Sequence, residues 1–119
     1  MLNFNSSGDL ANSTFMQSNG SASVVNETWA SLLITKNITV KNMYVSIGAG
    51  PQSGNSRIFT LRKNAVDTAL TVTLSNLTVT GSDTTHTVNF AAFDLLAIKH
   101  TTSGGVPLGT NCILTVEYV

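Results

Sequence analysis

Charged residues, cysteine and long apolar runs are all scarce in this sequence. Only 10% of the 119 residues are charged, against roughly a quarter in an average soluble protein. Six basic and six acidic side chains give a net charge of zero, so we expect no basic surface that binds the phosphates of a nucleic acid. No apolar run approaches the roughly 18 residues of a membrane span, so a membrane is not expected as a partner either.

Cys112 is the one cysteine of the chain, so no intrachain disulfide can form. It lies in an apolar run, and we expect it to be a small core residue. The N terminus lacks the charged-then-apolar order of a signal peptide. The chain is therefore either made in a cytosol or has lost its signal, and the initiating Met1 favours the first alternative.

Threonine, serine and asparagine take the place of the missing charges, with 17, 13 and 12 residues respectively. Threonine favours strands because its branched side chain fits a pleated surface. Serine and asparagine favour turns because their short side chains bond to nearby backbone. The composition thus predicts many strands, short loops and an uncharged polar exterior, with no amphipathic helix.

Alternation of apolar and polar residues predicts seven to nine short strands. The clearest case has Leu70, Val72 and Leu74 on one face of a strand. The alternation slips phase near Asn42, which predicts a β-bulge, and residues 81–83 are expected to form a turn. The predicted strands are at residues 29–35, 37–47, 56–63, 69–75, 85–90, 93–101 and 111–119.

Strands of this length and spacing are typical of an antiparallel sandwich or barrel. We predict an all-β chain with a single antiparallel β-sandwich domain, a jelly roll, over residues 27–119. Residues 1–26 are rich in Asn, Ser and Gly and are expected to form an extended N-terminal arm or a first edge strand.

No pattern of catalytic or metal-ligating residues is present. His86 and His100 are isolated and lack ligand spacing, so a structural or exposed position is expected for both. Asp67, Asp83 and Asp94 each lie at or just after a turn, where aspartate commonly caps its own backbone. We therefore predict no catalytic residue, no metal and no cofactor.

Partner contacts are instead expected from the N-terminal segment and from aromatic side chains. Trp29 precedes the first clear strand and is interpreted either as a sugar-stacking or interface residue, or as a core aromatic at the end of the sandwich. Tyr44 and Tyr118 are expected on an apolar face between subunits. The candidate partner-binding residues are Phe4, Leu10, Phe15, Trp29, Tyr44 and Tyr118.

About half of the chain is similar to a known group of proteins. Residues 58–64 (IFTLRKN) and 67–74 (DTALTVTL) look like a hairpin of small phage and prophage virion proteins. The same likeness extends over 81–88 (GSDTTHTV), 91–96 (AAFDLL) and 114–118 (LTVEY). These segments resemble compact jelly-roll domains of the tumour-necrosis-factor/C1q-like shape, which usually trimerise. Phe93 departs from that pattern, because glycine is expected in the turn before Asp94.

The resemblance implies a non-enzymatic virion surface protein, either a capsid decoration (cement) protein or the head of a short fibre. It implies a homotrimer that is assembled in the host cytoplasm and binds the major capsid protein or another virion component. A second reading is a receptor- or carbohydrate-binding head that holds a host surface glycan through the loops at 48–55 and 104–109, with Trp29 or Tyr44 as a platform. A third, a glycosidase or metalloenzyme, needs two carboxylates within about 10 Å in a cleft.

Overall fold

The structure is a computed structural model that describes residues 1–6, 10–20, 22–104 and 111–119. Strands dominate it, and the one described helix is a single turn. No described helix is long and apolar enough to cross a membrane. The elements are β1 (Leu2–Ser6), β2 (Thr14–Phe15), α1 (Glu27–Ala30), β3 (Leu32–Leu33), β4 (Ile38–Ile47), β5 (Ser56–Lys63), β6 (Val66–Ser75), β7 (Thr80–Phe90), β8 (Leu95–Ser103) and β9 (Cys112–Tyr118).

The strands form two antiparallel sheets that face each other. Sheet A has the order β1-β9-β4-β7, and sheet B has the order β2-β8-β5-β6, with β3 also pairing with β8. The pairs are nested along the chain: β1 pairs with β9, β2 and β3 with β8, β4 with β7, and β5 with β6. This nesting is the topology of a jelly roll, so the predicted all-β antiparallel sandwich is confirmed.

The core lies between the two sheets. Every second residue of the long strands points inward, as the alternation predicts. Cys112 is among them and is buried, as expected. Burial raises the pKa of its thiol to about 12, so the group stays protonated at neutral pH. Other fully buried side chains of the core are Phe4, Val40, Met43, Phe59, Leu61, Leu70, Leu74, Leu96, Ile98, Leu114 and Val116.

A β-bulge interrupts β4 at Asn42, where the sequence predicts one. The pairing with β7 and with β9 shifts between Lys41 and Met43. Asn42 adopts a φ of 54°, a left-handed conformation that asparagine tolerates better than most residues. Its side-chain amide donates to Glu117 on β9, so the bulge is tied to the neighbouring strand.

The prediction of a turn at residues 81–83 is wrong, because these residues lie inside β7. Asp83 does cap backbone amides, but it does so from within the strand and accepts from Thr71 of β6 as well. Gly81 is needed for close packing at this edge, since a Cβ there would lie 2.7 Å from Leu74 Cδ2. The two sheets are therefore joined along the β6–β7 edge.

The strand predicted at 29–35 is divided between one helical turn and a two-residue strand. The side chain of Asn26 accepts from Thr28 N at 3.0 Å and begins α1. Ser31 then donates to the carbonyl of Glu27 at 2.8 Å. These local side-chain bonds favour a helical turn over a strand, and β3 keeps only Leu32 and Leu33.

The N-terminal segment is part of the sandwich. Of the two possibilities for residues 1–26, β1 takes the second and forms the edge strand of sheet A, with Phe4 opposite Leu114. Thr14 and Phe15 pair with His100 and Lys99 in sheet B. The described residues of this segment thus contribute to both sheets.

We expect Phe4→Ala to destabilise the fold by about 3 kcal/mol, because it removes a fully buried ring and leaves a cavity. Chemical denaturation monitored by circular dichroism measures the loss. Asn3→Ala is the matched control, since Asn3 is exposed on the same strand and should change stability by less than about 0.5 kcal/mol. Equal, small effects of both substitutions would show that β1 adds little to the fold.

Candidate interaction surface

The outward face of sheet A is a broad surface of mostly uncharged residues on paired strands. Tyr44 lies between Thr115 of β9 and Ser82 of β7, and Ser46 lies between Ile113 and Thr80 in the same way. Asn3 and Asn5 of β1 pair with Thr115 and Ile113 and extend this face to the sheet edge. Side chains at directly opposed positions contact each other, so these residues form one continuous surface.

Tyr44 and Ile113 are the large apolar side chains of this surface, and they are 45% and 61% exposed. They border an open groove of about 420 Å³. Four residues with hydroxyl groups also line it, namely Ser46, Thr80, Ser82 and Thr115. The groove therefore offers an aromatic ring, an aliphatic side chain and neutral hydrogen-bonding groups.

Charge is almost absent from the outward face of sheet A. Among the outward positions of its described strands, Lys41 and Glu117 carry the charges, and they occupy directly opposed register positions on β4 and β9. Their charges are opposite, so the face is neutral as a whole. A neutral face of this kind does not repel a second copy of itself.

The candidate residues of the N-terminal segment do not lie on one surface. Phe4 and Leu10 are fully buried and pack in the core, so neither is presented to a partner by the folded chain. Phe15 is half-buried beneath the Arg62 guanidinium, whose carbon is 5.8 Å from the ring centroid. Of these three side chains, Phe15 alone retains some exposure.

The other three candidates are exposed, but at different places. Trp29 is 73% exposed on α1, so its interpretation as a core aromatic is wrong. Tyr44 is on the outward face of sheet A, whereas Tyr118 is 38% exposed and lines a smaller cleft with Leu33 at one end of the sandwich. The structure does not bring these aromatics into one site.

Two exposed residues were missed by the sequence analysis. Ile113 lies on the outward side of β9, between the inward residues Cys112 and Leu114. An aliphatic residue at an outward position, where a polar one is expected, was the sequence feature that could have identified it. Phe93 is 81% exposed in the turn before β8, and its signal was a large aromatic at a position suited to glycine.

His86 and Asp83 form a contact with a structural role. His86 Nδ1 donates to Asp83 Oδ2 at 2.8 Å, and the same carboxylate accepts from the amides of Thr71, Thr85 and His86. Burial acts to raise the pKa of Asp83, but these hydrogen bonds outweigh it and hold the pKa well below the usual carboxyl range. The carboxylate is used to join β6 and β7.

Glu27 and Asp67 are the carboxylates that come together, and Arg62 lies between them. The Arg62 guanidinium bonds to both Glu27 oxygens, at 2.8 and 3.1 Å, and also to Asp67. The hydrogen bond from Arg62 lowers the pKa of Asp67, with a further contribution from Lys99. The acid of a glycosidase needs a raised pKa, and the pKa of Asp67 is lowered instead. The contacts of Arg62 with Glu27 hold α1 against sheet B.

His100 is fully buried beside Arg57 and against the ring of Phe59. Its Nδ1 donates to the carbonyl of Ala11 at 2.8 Å, which leaves Nε2 as the acceptor that faces Arg57 Nη1 at 3.3 Å. Arg57 also donates to the carbonyl of Leu10 at 3.1 Å. The pair therefore fastens residues 10 and 11 to sheet B. No group of three or more His, Cys, Asp or Glu suited to a metal occurs in the described ranges.

Acid should weaken the fold through His100. Burial, with a smaller contribution from the charge of Arg57, lowers the pKa of His100 to about 4, whereas the unfolded chain has a pKa of about 6.5. Because the unfolded state then binds the additional proton, stability is complete above pH 6.5 and falls by up to about 3 kcal/mol as the pH drops towards 4.

Denaturation curves between pH 7 and 4 measure this loss of stability. His100→Gln should remove the dependence between pH 7 and 5 and leave only the smaller loss from carboxylates towards pH 4, whereas His86→Gln, the matched control at the exposed histidine, should retain the full dependence. An unchanged pH dependence in His100→Gln would contradict the assignment.

No protein-family model matches the chain, and no curated protein matches it. What the chain does is therefore inferred from its fold and its surface.

Proposed function

We propose that the chain is a non-enzymatic structural protein of a virus particle, of the capsid decoration or auxiliary surface type. The observation that carries the proposal is the neutral outward face of sheet A, with Tyr44 and Ile113 exposed on a jelly-roll framework. A rigid sandwich with such a face is suited to assembly. The acidic and basic side chains described above serve to hold the framework.

Self-association through this face follows from its composition. Burying Ile113 and Tyr44 between copies removes apolar surface from water, and the neighbouring hydroxyls of Ser46, Ser82 and Thr115 can bond across the contact. Few charges lose water in such a contact, because Lys41 and Glu117 are the charged residues among the outward positions of the described strands of sheet A. A homotrimer is the proposed form: each copy uses this face towards both of its neighbours, with Ile113 close to the threefold axis, where its three copies meet and the ring closes.

The virion assignment is supported by the resemblance over residues 58–119 together with the nested strand order. In this proposal the protein is assembled in the host cytoplasm and is located on the virion. Its partners are further copies of itself and the major capsid protein or another virion component. It needs no cofactor, nucleic acid or membrane for this role.

The proposal predicts that Ile113→Lys dissociates the oligomer, because it places like charges together in the contact. Light scattering coupled to size-exclusion chromatography should give the mass of a trimer for the unchanged chain and of a monomer for the variant. Circular dichroism should be unchanged, since Ile113 is exposed in the single chain.

Leu77→Lys is the matched control, since Leu77 is 78% exposed in the turn between β6 and β7 and lies outside the face. This variant should remain trimeric. A monomeric unchanged chain at high concentration would overturn the proposed self-association. Dissociation by both lysine substitutions would show that the contact is not at Ile113.

A receptor- or carbohydrate-binding head is the second candidate, and the groove beside Tyr44 favours it. An exposed aromatic ring flanked by Ser46, Thr80 and Ser82 is suited to stacking a sugar and bonding its hydroxyls. Residues 105–110 of the loop expected to take part lie outside the described residues, and the groove is lined by strand residues instead. Its neutrality favours an uncharged host glycan over an acidic one.

If this second candidate is right, Tyr44→Ala should strongly weaken binding to neutral glycans on an array, while Trp29→Ala should leave it unchanged. The expected loss is about tenfold or more, because stacking supplies much of the binding energy of a shallow site. Isothermal titration with the strongest array ligand gives the ratio. Retention of binding in Tyr44→Ala would remove the groove from consideration.

A further inference from the structure

Phe93 occupies a position that is unfavourable for phenylalanine for two reasons. Its φ is 74°, a left-handed conformation that is strained for a residue with a bulky side chain. Its ring is also 81% exposed to water. A residue that is both strained and exposed contributes nothing evident to the stability of the folded chain, and such positions often belong to binding surfaces.

The turn that carries Phe93 is held rigidly. Asp94 accepts from Ala91 N and from Asn64 Nδ2, both at 2.8 Å. Phe93 N donates to the carbonyl of Ile34 at 2.7 Å, and the amide of Ile34 donates in return to the carbonyl of Asp94. Two other segments of the chain, at Asn64 and Ile34, thus fix the turn, and the ring is presented from a backbone that is already ordered.

Phe93 has apolar neighbours at the same end of the sandwich. Leu33 of β3 pairs directly with Leu95 of β8, and these side chains are 55% and 39% exposed. The hydrogen bond from Phe93 to Ile34 places the turn beside this pair. We call Leu33, Phe93 and Leu95 the apolar tip.

The loops around the apolar tip carry a net positive charge. Lys63 and Asp94 are paired at 3.2 Å and neutralise each other. Lys36 lies in the loop between Ile34 and Asn37, is exposed, and makes no ion pair with any residue that the structure describes. A symmetric contact between two tips would bring Lys36 against its own copy, so a partner with acidic side chains fits this end better than a second copy does.

We propose that the apolar tip is an anchor that inserts Phe93 into an apolar pocket, rimmed by carboxylates, on a partner protein of different sequence. The proposal deepens the proposed function and rests on it, since it states the chemistry of the virion component to which the chain attaches. β4 begins at Ile38 beside the tip and reaches Tyr44 only in its second half, so copies joined through sheet A leave the tip free. A fixed ring suits a shaped protein pocket, whereas a lipid surface needs no such fixing.

The first test measures whether Phe93 makes the fold less stable than glycine would at the same position. Phe93→Gly should raise the melting temperature by a few degrees, because glycine adopts a φ of 74° without strain. Ala92→Gly is the matched control on the same exposed turn and should lower it, because Ala92 has no positive φ. A lower melting temperature for Phe93→Gly would show that the ring supports the fold, and would overturn the proposal.

The second test measures recognition with a displayed library of random peptides about a dozen residues long. Selection on the unchanged chain should enrich peptides that combine acidic with aliphatic or aromatic residues. These peptides should bind Phe93→Ala at least about tenfold more weakly, as expected for a central aromatic anchor, and Lys36→Glu several-fold more weakly. Peptides that bind both variants equally, or a selection that enriches none over Phe93→Ala, would overturn the proposal.

Two further measurements separate this proposal from its alternatives. Phe93→Ala should keep the oligomeric mass of the unchanged chain, and Ile113→Lys should keep peptide binding even if it becomes monomeric. Loss of the oligomer in Phe93→Ala would make a second copy the occupant of the tip and overturn the proposal. Binding to phosphatidylserine-containing vesicles that is lost in Phe93→Ala would overturn it in favour of a lipid surface.

Discussion

The packing of two apolar sheet faces against each other is the interaction on which the rest of the structure depends. The strands β4, β6 and β9 bury alternate residues between sheets A and B, and each large apolar side chain buried there stabilises the fold by roughly 1.5–3 kcal/mol relative to exposure. Because the chain has few charges and no disulfide, no other interaction is large enough to replace this one. The outward residues are consequently free to be threonine, serine and asparagine.

Polar groups inside or at the rim of the sandwich fix how the two sheets meet. Asp83 joins β7 to β6 through backbone amides, and His100 with Arg57 fastens residues 10 and 11 to sheet B. These groups are buried, so each must keep its partners to avoid an unpaired polar atom in the core. The same bonds that stabilise the fold thus make it sensitive to acid at His100.

The sandwich separates two surfaces that differ in chemistry. The outward face of sheet A is neutral and broad, with Tyr44 and Ile113 in its centre. The apolar tip is small, rigid and bordered by Lys36. A protein with two such surfaces can associate with its own copies through one and with a different protein through the other, which suits a component that decorates a larger assembly.

The sequence by itself determined the fold class, the positions of the long strands other than the first half of β7, and the bulge at Asn42. It did so because alternation with a period of two reports directly which face of a strand is buried. It also identified Cys112 as a core residue, because Cys112 lies on the same side of its strand as the apolar residues Leu114 and Val116. Each of these features depends on residues that are close together in the sequence, so a local pattern is enough to predict it.

Only the tertiary structure decided which exposed residues share a surface. Phe4 and Leu10 resemble Trp29 in the sequence, yet Phe4 is buried because β1 pairs with β9. Leu10 is buried because Arg57 of β5 holds its segment against sheet B. Ile113 lies near Tyr44 through a pairing between β4 and β9 that no local pattern specifies. The left-handed conformation of Phe93 is held by its own hydrogen bond to Ile34 and by the bond between Asp94 and Asn64, two partners that are distant in sequence. The grouping of exposed residues into surfaces and the backbone strain at Phe93 both depend on contacts between residues far apart in the sequence. For that reason the sequence alone did not reveal them.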